Sequence, residues 1–375
     1  MGDQLTGATR APLVSISIVT YNSGPFLKRC LDSVLAQDWL RLEVIVIDNA
    51  STDDTRSILE SYQKRIRVIW NKQNRGFCGG QNQGIRRAEG DWVLVLNPDA
   101  VLTPAFVSSL VSAGAQDPSA GTLCGKLLRA EPDLSIPTKP QVDSAGIYFT
   151  PTFRHFDRGT HLPDGPEYSQ PAYVFGATGA AAFYRRAMIE DVSVEGEFFD
   201  EDFFFSREDA DVAWRAQLFG WKCLYVPHAI GYHVRRVFPG VRRNLPSMIN
   251  QHSVKNRFLM RIKNATLGLY LVNLFTVTVR DLGILAYCLV RERGSLAGLV
   301  FVLRNWSRIT DKRRIIQQRR RVSDDYMKAW FRFQPVTFPA PFLLKPEENL
   351  PGAAQSAAAA IVNLRPAGSG TDGSR

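Results

Sequence analysis

Disulfide chemistry is missing from this sequence. Its five cysteines, Cys30, Cys78, Cys124, Cys223 and Cys288, are odd in number, widely spread and never spaced CxxC. That excludes a disulfide scaffold or a zinc ribbon as the organising principle and points to a reducing compartment. The opening MGDQLTGATR has no apolar core, so no secretory leader is expected. Internal repeats are absent. The apolar stretch 267–290 is interrupted by Arg280 and Asp281, which makes an interfacial or bundled helix the expectation over a spanning one.

What is present is enough for a real core. The chain has 375 residues, 45% hydrophobic and 22% charged, more than one domain of typical size and within reach of two. The net charge of +10 is concentrated: residues 235–328 hold 20 Lys and Arg against 5 Asp and Glu, and the rest holds 26 against 31. An anionic partner, either a membrane face or a nucleic acid, would therefore meet the C-terminal part alone.

The first hundred residues alternate strand and helix. LVSISIVTY (13–21) is an apolar, β-branched run of the kind buried in a parallel sheet, broken by Asn22-Ser23-Gly24-Pro25 and followed by the helical spacing of Phe26, Leu27, Leu31, Val34 and Leu35. LEVIVIDN (42–49) is a second strand, with Ser51 and Thr52 as capping types for the next helix. IRVIW (66–70) and DWVLVLNPD (91–99) complete four, with a Gly-rich turn and polar helix (74–88) between them. This order predicts an α/β fold, a mostly parallel sheet flanked by helices. Residues 121–185 read as less regular, a helix is expected from near Glu208 to Gly220, and long apolar and basic helices begin near 246. From about 336 the Pro-, Ala- and Gly-rich tail is expected to be partly disordered.

In an open parallel sheet, ligands gather at the carboxyl ends of the strands. Here those ends carry Thr20-Tyr21-Asn22, then Asp48, Ser51 and Asp53, then Asn97-Pro98-Asp99. Together they fit sugar hydroxyls, base N–H groups and a divalent metal, although each set alone serves equally well as turn chemistry. Asn74 to Asn82, which contains Arg75, Gly76, Gly79 and Gly80, brings a glycine-rich backbone to a helix start, where phosphate is favoured. It is neither GxGxxG with a ribose acid nor GxxxxGK[ST], so a dinucleotide fold and a P-loop nucleotidase lose their main support. Asp99 can hold Mg²⁺ or Mn²⁺ if diphosphate oxygens and a second protein ligand complete the shell, and His233 is a candidate for that ligand. Cys223, His228 and His233 lack zinc-site spacing. The acids at 200–202 and at Glu208, Asp209 and Asp211 either complement a helix dipole or supply a general base beside the aromatic run 203–205.

Taken in order, VSISIVTYN, VIVIDNASTDDT, NRGFCGGQNQG, GDWVLVLNPDA and FDEDFFFSREDADVAWRAQLFGWK resemble the inverting family 2 glycosyltransferases of GT-A fold, most of all their bacterial rhamnosyltransferase branch. The resemblance covers about residues 13–265. It implies a GT-A catalytic domain at 13–240, after a flexible 1–12 and before a basic membrane-associating helical region at 241–335 and the tail at 336–375. By resemblance, Thr20, Tyr21, Asn22, Asp48, Ser51 and Asp53 frame the nucleoside, and Arg75, Gly76, Asn82 and Asn97 belong to the nucleotide-sugar site. Asp99 and His233 hold the metal, Asp209 is the base and Glu208 supports it. The implied reaction moves a sugar, L-rhamnose from dTDP-rhamnose first among candidates, to a glycan or polyprenyl-diphosphate-linked acceptor in cell-surface polysaccharide synthesis. The enzyme would sit peripherally on the inner face of the cell membrane, on an anionic surface. A UDP-linked hexose or galactofuranose donor and a non-catalytic sugar-nucleotide-binding protein are the alternatives. Two departures stand out: Asn97 takes the place of the first acid of the family's DxD, as is usual in this branch, and Val234-Arg235-Arg236 follows His233 where the branch usually has a small Gly/Ser-rich turn, which suggests a positively charged lip. No nucleic-acid module is recognisable, and the acidic strand ends would repel phosphate backbones. A nucleotidyltransferase would need a Gly-rich loop after the first strand, where TYNSGPF stands instead, and a processive synthase would need QxxRW.

Overall fold

The structure is a computed structural model that describes residues 10–235 and 247–340. Its first half alternates as the hydrophobic runs dictate: β1 (Val14–Thr20), α1 (Gly24–Leu35), β2 (Leu42–Asp48), α2 (Thr55–Tyr62), β3 (Arg67–Trp70), α3 (Gly76–Arg87) and β4 (Trp92–Leu96). β1 pairs in parallel with both β2 and β4, and β2 with β3. Alternate residues of the strands feed two cores. Ile16, Ile18, Val44, Val46, Leu94 and Leu96 meet α1 and α2 on one face, while Ile45, Ile47, Val93 and Val95 meet α3 on the other. On that second face β1 presents Ser15 and Ser17, small enough to admit α3 directly. A Cβ on Gly80 would come within 2.8 Å of Val19, and one on Gly84 would collide with the Ser17 hydroxyl, so this contact needs glycine.

Beyond β4 the sheet becomes mixed. β5 (Ala100–Leu102) and α4 (Phe106–Gln116) lead into β6 (Ala120–Arg129), a ten-residue strand where the sequence looked irregular. Short strands β7 (Val142–Ser144), β8 (Ile147–Phe149), β9 (His155–Asp157) and β10 (Ala172–Val174) follow, then β11 (Ala181–Arg185) and α5 (Arg186–Val192). β11 inserts antiparallel between β4 and β6. After α6 (Glu208–Leu218), β12 (Lys222–His233) runs parallel to β6 and ends beside β5. The parallel half carries the strand ends that were expected to gather a ligand. The mixed half carries the acids and the histidine across to them.

The C-terminal helices are α7 (Ser247–Asn264), α8 (Leu267–Val272), α9 (Leu274–Val290), α10 (Leu296–Arg304), α11 (Trp306–Gln318) and α12 (Asp324–Trp330). Leu259, Met260, Leu269, Val277, Val302, Ile309, Ile316 and Met327 share the core of β2, β4 and α6 rather than forming one of their own. Phe331 lies against Phe149 and Trp214 at ring-centroid distances of 5.2 and 4.9 Å. The stretch read as one run at 267–290 is two helices broken at Asn273, whose side chain donates to the Leu269 carbonyl at 2.9 Å. Among the described residues no helix is long and apolar enough to cross a membrane. Within the stretch assigned to the tail, β13 (Phe338–Pro339) pairs with β10. Residues 341–375 lie outside the described residues.

Candidate active site

The ends of β1 and β2 are tied into one polar corner. Asp48 accepts from the Thr20 hydroxyl at 2.9 Å, from the Ser51 hydroxyl at 2.6 Å and from the Ser51 amide at 3.1 Å. The Ser51 hydroxyl in turn accepts from the Asn22 amide at 2.9 Å, and the Asn22 side chain accepts from the Thr52 amide at 2.8 Å. Ser51 and Thr52 thus do not cap the following helix. That helix begins at Thr55 behind Asp54, and Ser51 belongs to the strand-end corner. Asp53 accepts from the Gly24 and Thr55 amides, each at 3.0 Å; burial opposes its charge, but the Thr55 side chain and these amides hold its carboxyl below its usual range. Tyr21 is exposed and free to meet a planar base.

The Gly-rich loop joins this corner. The Asn49 amide donates to the Gly76 carbonyl at 2.9 Å, and the Asn71 amide donates to Asn49 at 2.8 Å. Gly76 has φ +70°, and a Cβ there would lie 2.5 Å from the Phe204 carbonyl oxygen. Arg75 is exposed just before α3. Asn82, expected at the ligand, is only 1% exposed. Its side chain accepts from the Phe199 amide at 3.0 Å and donates to the Phe199 carbonyl and to Glu201. It is a strut behind the site, because both of its amide atoms are used on the segment leading to the acids.

Asn97, Asp99 and His233 come together as the sequence led one to expect. His233 Nε2 lies 3.4 Å from the Asp99 carboxylate and 3.4 Å from the Asn97 amide nitrogen. Nδ1 of the same ring lies 2.9 Å from Asp143, a buried carboxylate on β7. Burial disfavours the charged ring, but the hydrogen bonds to Asp143 and Asp99 outweigh it and push the imidazole pKa up to about 9. Burial likewise opposes ionisation of Asp143, yet its bonds to His233 and Arg235 bring it down to about 2. Two carboxylates flanking one imidazole form a site that attracts a cation, and a carboxylate on the far ring nitrogen is the usual support of a metal-bound histidine. Among the described residues no group of three or more His, Cys, Asp or Glu is arranged to hold an ion alone. Asp99 and His233 fit a divalent ion only as partners of ligand oxygens.

Arg235 departs from the expected positive lip. Its guanidinium donates to Asp143 at 2.7 Å and to Asp157 at 2.6 Å, so it faces inward and steadies the support of His233. Arg236 lies outside the described residues.

The acids at α6 close the site. The Asp209 carboxylate accepts from the Gly179 amide at 2.9 Å, and the neighbouring Ala180 carbonyl accepts from the Asn97 amide at 2.9 Å. Adjacent residues of one loop therefore hold Asp209 and the Asn97-Pro98-Asp99 turn side by side. Burial raises the Asp209 carboxyl pKa, against the lowering effect of the Gly179 amide. Glu208 is buried, one of its carboxyl oxygens has no hydrogen-bond partner, and burial together with the Asp209 charge raises its pKa. Proton affinity above the ordinary carboxylate range is what a general base requires.

The chain reaches α6 through strained backbone. Phe204, Ser206 and Arg207 have φ of +65°, +70° and +73°, and Asn22 and Ala50 across the site have +50° and +61°. Non-glycine residues in this region cost about 1–3 kcal/mol each and persist only where surroundings hold them. Here Asn256 of α7 does so, its amide nitrogen donating to the carbonyls of Phe203, Phe205 and Ser206 at 3.0, 2.8 and 2.8 Å. The acids at 200–202 have a third role beyond the two foreseen. Asp200 ion-pairs with Lys263, and with Lys312 at 2.8 Å, while Asp211 pairs with Arg215 and Lys263, each at 3.1 Å. These buried pairs fasten the C-terminal helices beneath Glu208 and Asp209. Asp143, Asn256, Lys263 and Lys312 were missed because no local spacing links them to their partners.

A family model described as Glycosyl transferase family 2 matches residues 15–192. The N-acetylglucosaminyl-diphospho-decaprenol L-rhamnosyltransferase of Mycobacterium tuberculosis is 29% identical over 245 residues, covering 59% of this chain and 76% of that protein. The succinoglycan biosynthesis protein ExoO of Rhizobium meliloti is 34% identical over 112 residues, 28% of this chain and 32% of that one. Among solved structures, GalNAc-T7 with UDP, GalNAc and Mn²⁺ superimposes with a TM-score of 0.53 at 15% identity, over 68% of this chain and 48% of that one. The chain is a glycosyltransferase carrying a family 2 domain of GT-A fold.

Proposed function

We propose that the enzyme transfers L-rhamnose from dTDP-rhamnose to a hydroxyl of a polyprenyl-diphosphate-linked glycan in cell-surface polysaccharide synthesis, working peripherally at the cytoplasmic face of the membrane. The observation that carries the reaction is the pairing of Asp209 with the Asn97-Pro98-Asp99 turn through Gly179 and Ala180. The mycobacterial relative's name supports the sugar and the acceptor class.

In this reading the Thr20–Asp48–Ser51 corner with Asn22 and Asp53 receives the nucleoside, and Tyr21 offers a face to the base. Arg75 and the amides at the start of α3 face the diphosphate. Asp99 and His233 hold Mg²⁺ or Mn²⁺, which when bound offsets the charge that builds on the departing diphosphate. Asp209 takes the proton of the acceptor hydroxyl, whose oxygen bonds to the anomeric carbon as the bond to the diphosphate breaks on the opposite face. Glu208, buried beside it, keeps the pair's proton affinity high. One displacement inverts the anomeric carbon, and dTDP leaves with both electrons of the broken bond.

The test is thermal stabilisation by dTDP, dTDP-rhamnose and UDP-sugars, with and without Mg²⁺ or Mn²⁺, since a ligand that binds only the folded state raises its melting temperature. A metal-dependent rise with the dTDP compounds is expected. A rise with UDP compounds alone overturns the sugar, and no rise with any overturns the site. The Asp143→Asn variant is expected to need about 10–100-fold more metal for half the rise, because it loses the carboxylate that orients His233. An unchanged metal requirement contradicts that support role.

A further inference from the structure

Ordinary surface helices turn charge to water and apolar side chains inward. α9 does the reverse. Its two charged residues face the protein: Arg280 donates to the Thr152 carbonyl at 2.8 Å, and Asp281 pairs with Arg261 at 2.5 Å. Its outer face, continued from α8, shows Leu271, Leu274, Phe275, Val279, Leu282 and Leu289 at helical spacing, with Phe275 80% exposed. No charged residue of α9 lies on that face.

The stripe begins at a positively charged cavity. A hollow of about 420 Å³ is lined by Arg313, Arg314, Arg320, Thr310 and Gln317, with Asp324 as its acid and Leu267 as an apolar wall. Arg320 pairs with Asp324 at 2.6 Å and Arg314 with Asp311 at 3.0 Å. Arg313 is half-buried, gives Nη1 to the Ile262 and Ala265 carbonyls, and has no carboxylate within 4 Å among the described residues. Leu267, 69% exposed, is both a wall of the cavity and the first residue of the stripe. Arginines 291 and 293 are exposed at the far end of α9.

We infer that this face lies on an anionic lipid leaflet, with the α8–α9 stripe among the acyl chains and a lipid headgroup phosphate in the arginine cavity. An apolar band between clusters of arginine matches the cross-section of an anionic leaflet, in which apolar chains lie beneath a layer of phosphate. A second copy of the chain would bring arginine against arginine. The inference rests on the peripheral placement proposed above and is independent of the transfer reaction, so the test is run without nucleotide or acceptor.

The experiment is flotation of the full chain with vesicles of phosphatidylcholine alone or with phosphatidylglycerol added. The chain is expected to float with the mixed vesicles, and Arg314→Gln with Arg320→Gln, both outside the catalytic machinery, to lower the partition coefficient about fivefold per arginine. Phe275→Ser with Leu271→Ser is expected to abolish flotation on the mixed vesicles, with melting temperatures near that of the parent for both variants. Variants that float like the parent, or a parent that does not float, overturn the proposal. So does stabilisation by inorganic phosphate without flotation, which makes the cavity a free-phosphate site, or a dimer that the stripe variant dissolves.

Discussion

Replacing Asp209 by Asn is expected to lower turnover about 10²–10⁴-fold, the usual contribution of a positioned general base, while donor binding persists. The substitution keeps the shape of the side chain and an oxygen able to accept from the Gly179 amide, so the loop that aligns Asp209 with the Asn97-Pro98-Asp99 turn stays in place. What is lost is the ability to take a proton. Initial-rate assays beside nucleotide titrations separate the two effects. Near-parent turnover in Asp209→Asn contradicts the assignment of the base, and loss of donor affinity in step with turnover makes Asp209 a binding residue.

The largest loss of stability is expected from Asp200→Ala, about 3–5 kcal/mol in urea unfolding, because breaking a buried ion pair strands its partner. Here two ammonium groups from different C-terminal helices lose the carboxylate they share, leaving Lys263 with Asp211 and Lys312 with Glu197 and Asp202 at 3.4 and 3.5 Å. Burial alone would raise the Asp200 carboxyl pKa, but the two lysines overcome burial and hold it well below the usual range. A carboxyl with a lowered folded pKa stabilises fully above its unfolded value near pH 4 and less as pH falls below that. The gap between parent and variant is therefore expected to narrow in acid. A loss under about 1 kcal/mol at neutral pH, below what a broken buried pair costs, would show that apolar packing alone fastens these helices.

The sequence was most informative where one segment carries its own explanation. β4 and the Val44–Ile47 run of β2 are apolar at every residue, and β1 admits only small serines between its apolar residues, because both faces of the sheet are covered, and the polar strand ends stand out for the same reason. The start of α6 at Glu208 and the approach of His233 to Asp99 also agree with the sequence reading. Partners that depend on the path of the chain were not legible. Asp143 lies 90 residues from His233, and Lys312 lies 112 from Asp200, in segments whose composition suggested loop and membrane surface. Arg280 and Asp281 read as an interruption of an apolar helix. In the fold they are the inward face of a helix whose outer face is apolar. Asn82 and Arg235 illustrate the opposite error, since a side chain next to a binding motif can be committed to holding its neighbours.

In the proposed reaction, a single displacement, Asp209 activates the acceptor on the face opposite the leaving diphosphate. Its most direct test is the anomeric configuration of the product formed from dTDP-rhamnose and a polyprenyl-diphosphate-linked acceptor, read by NMR. A new linkage with configuration opposite to that of the donor is the expected result. A linkage that keeps the donor's configuration contradicts the mechanism, because one attack from the side of Asp209 cannot produce it.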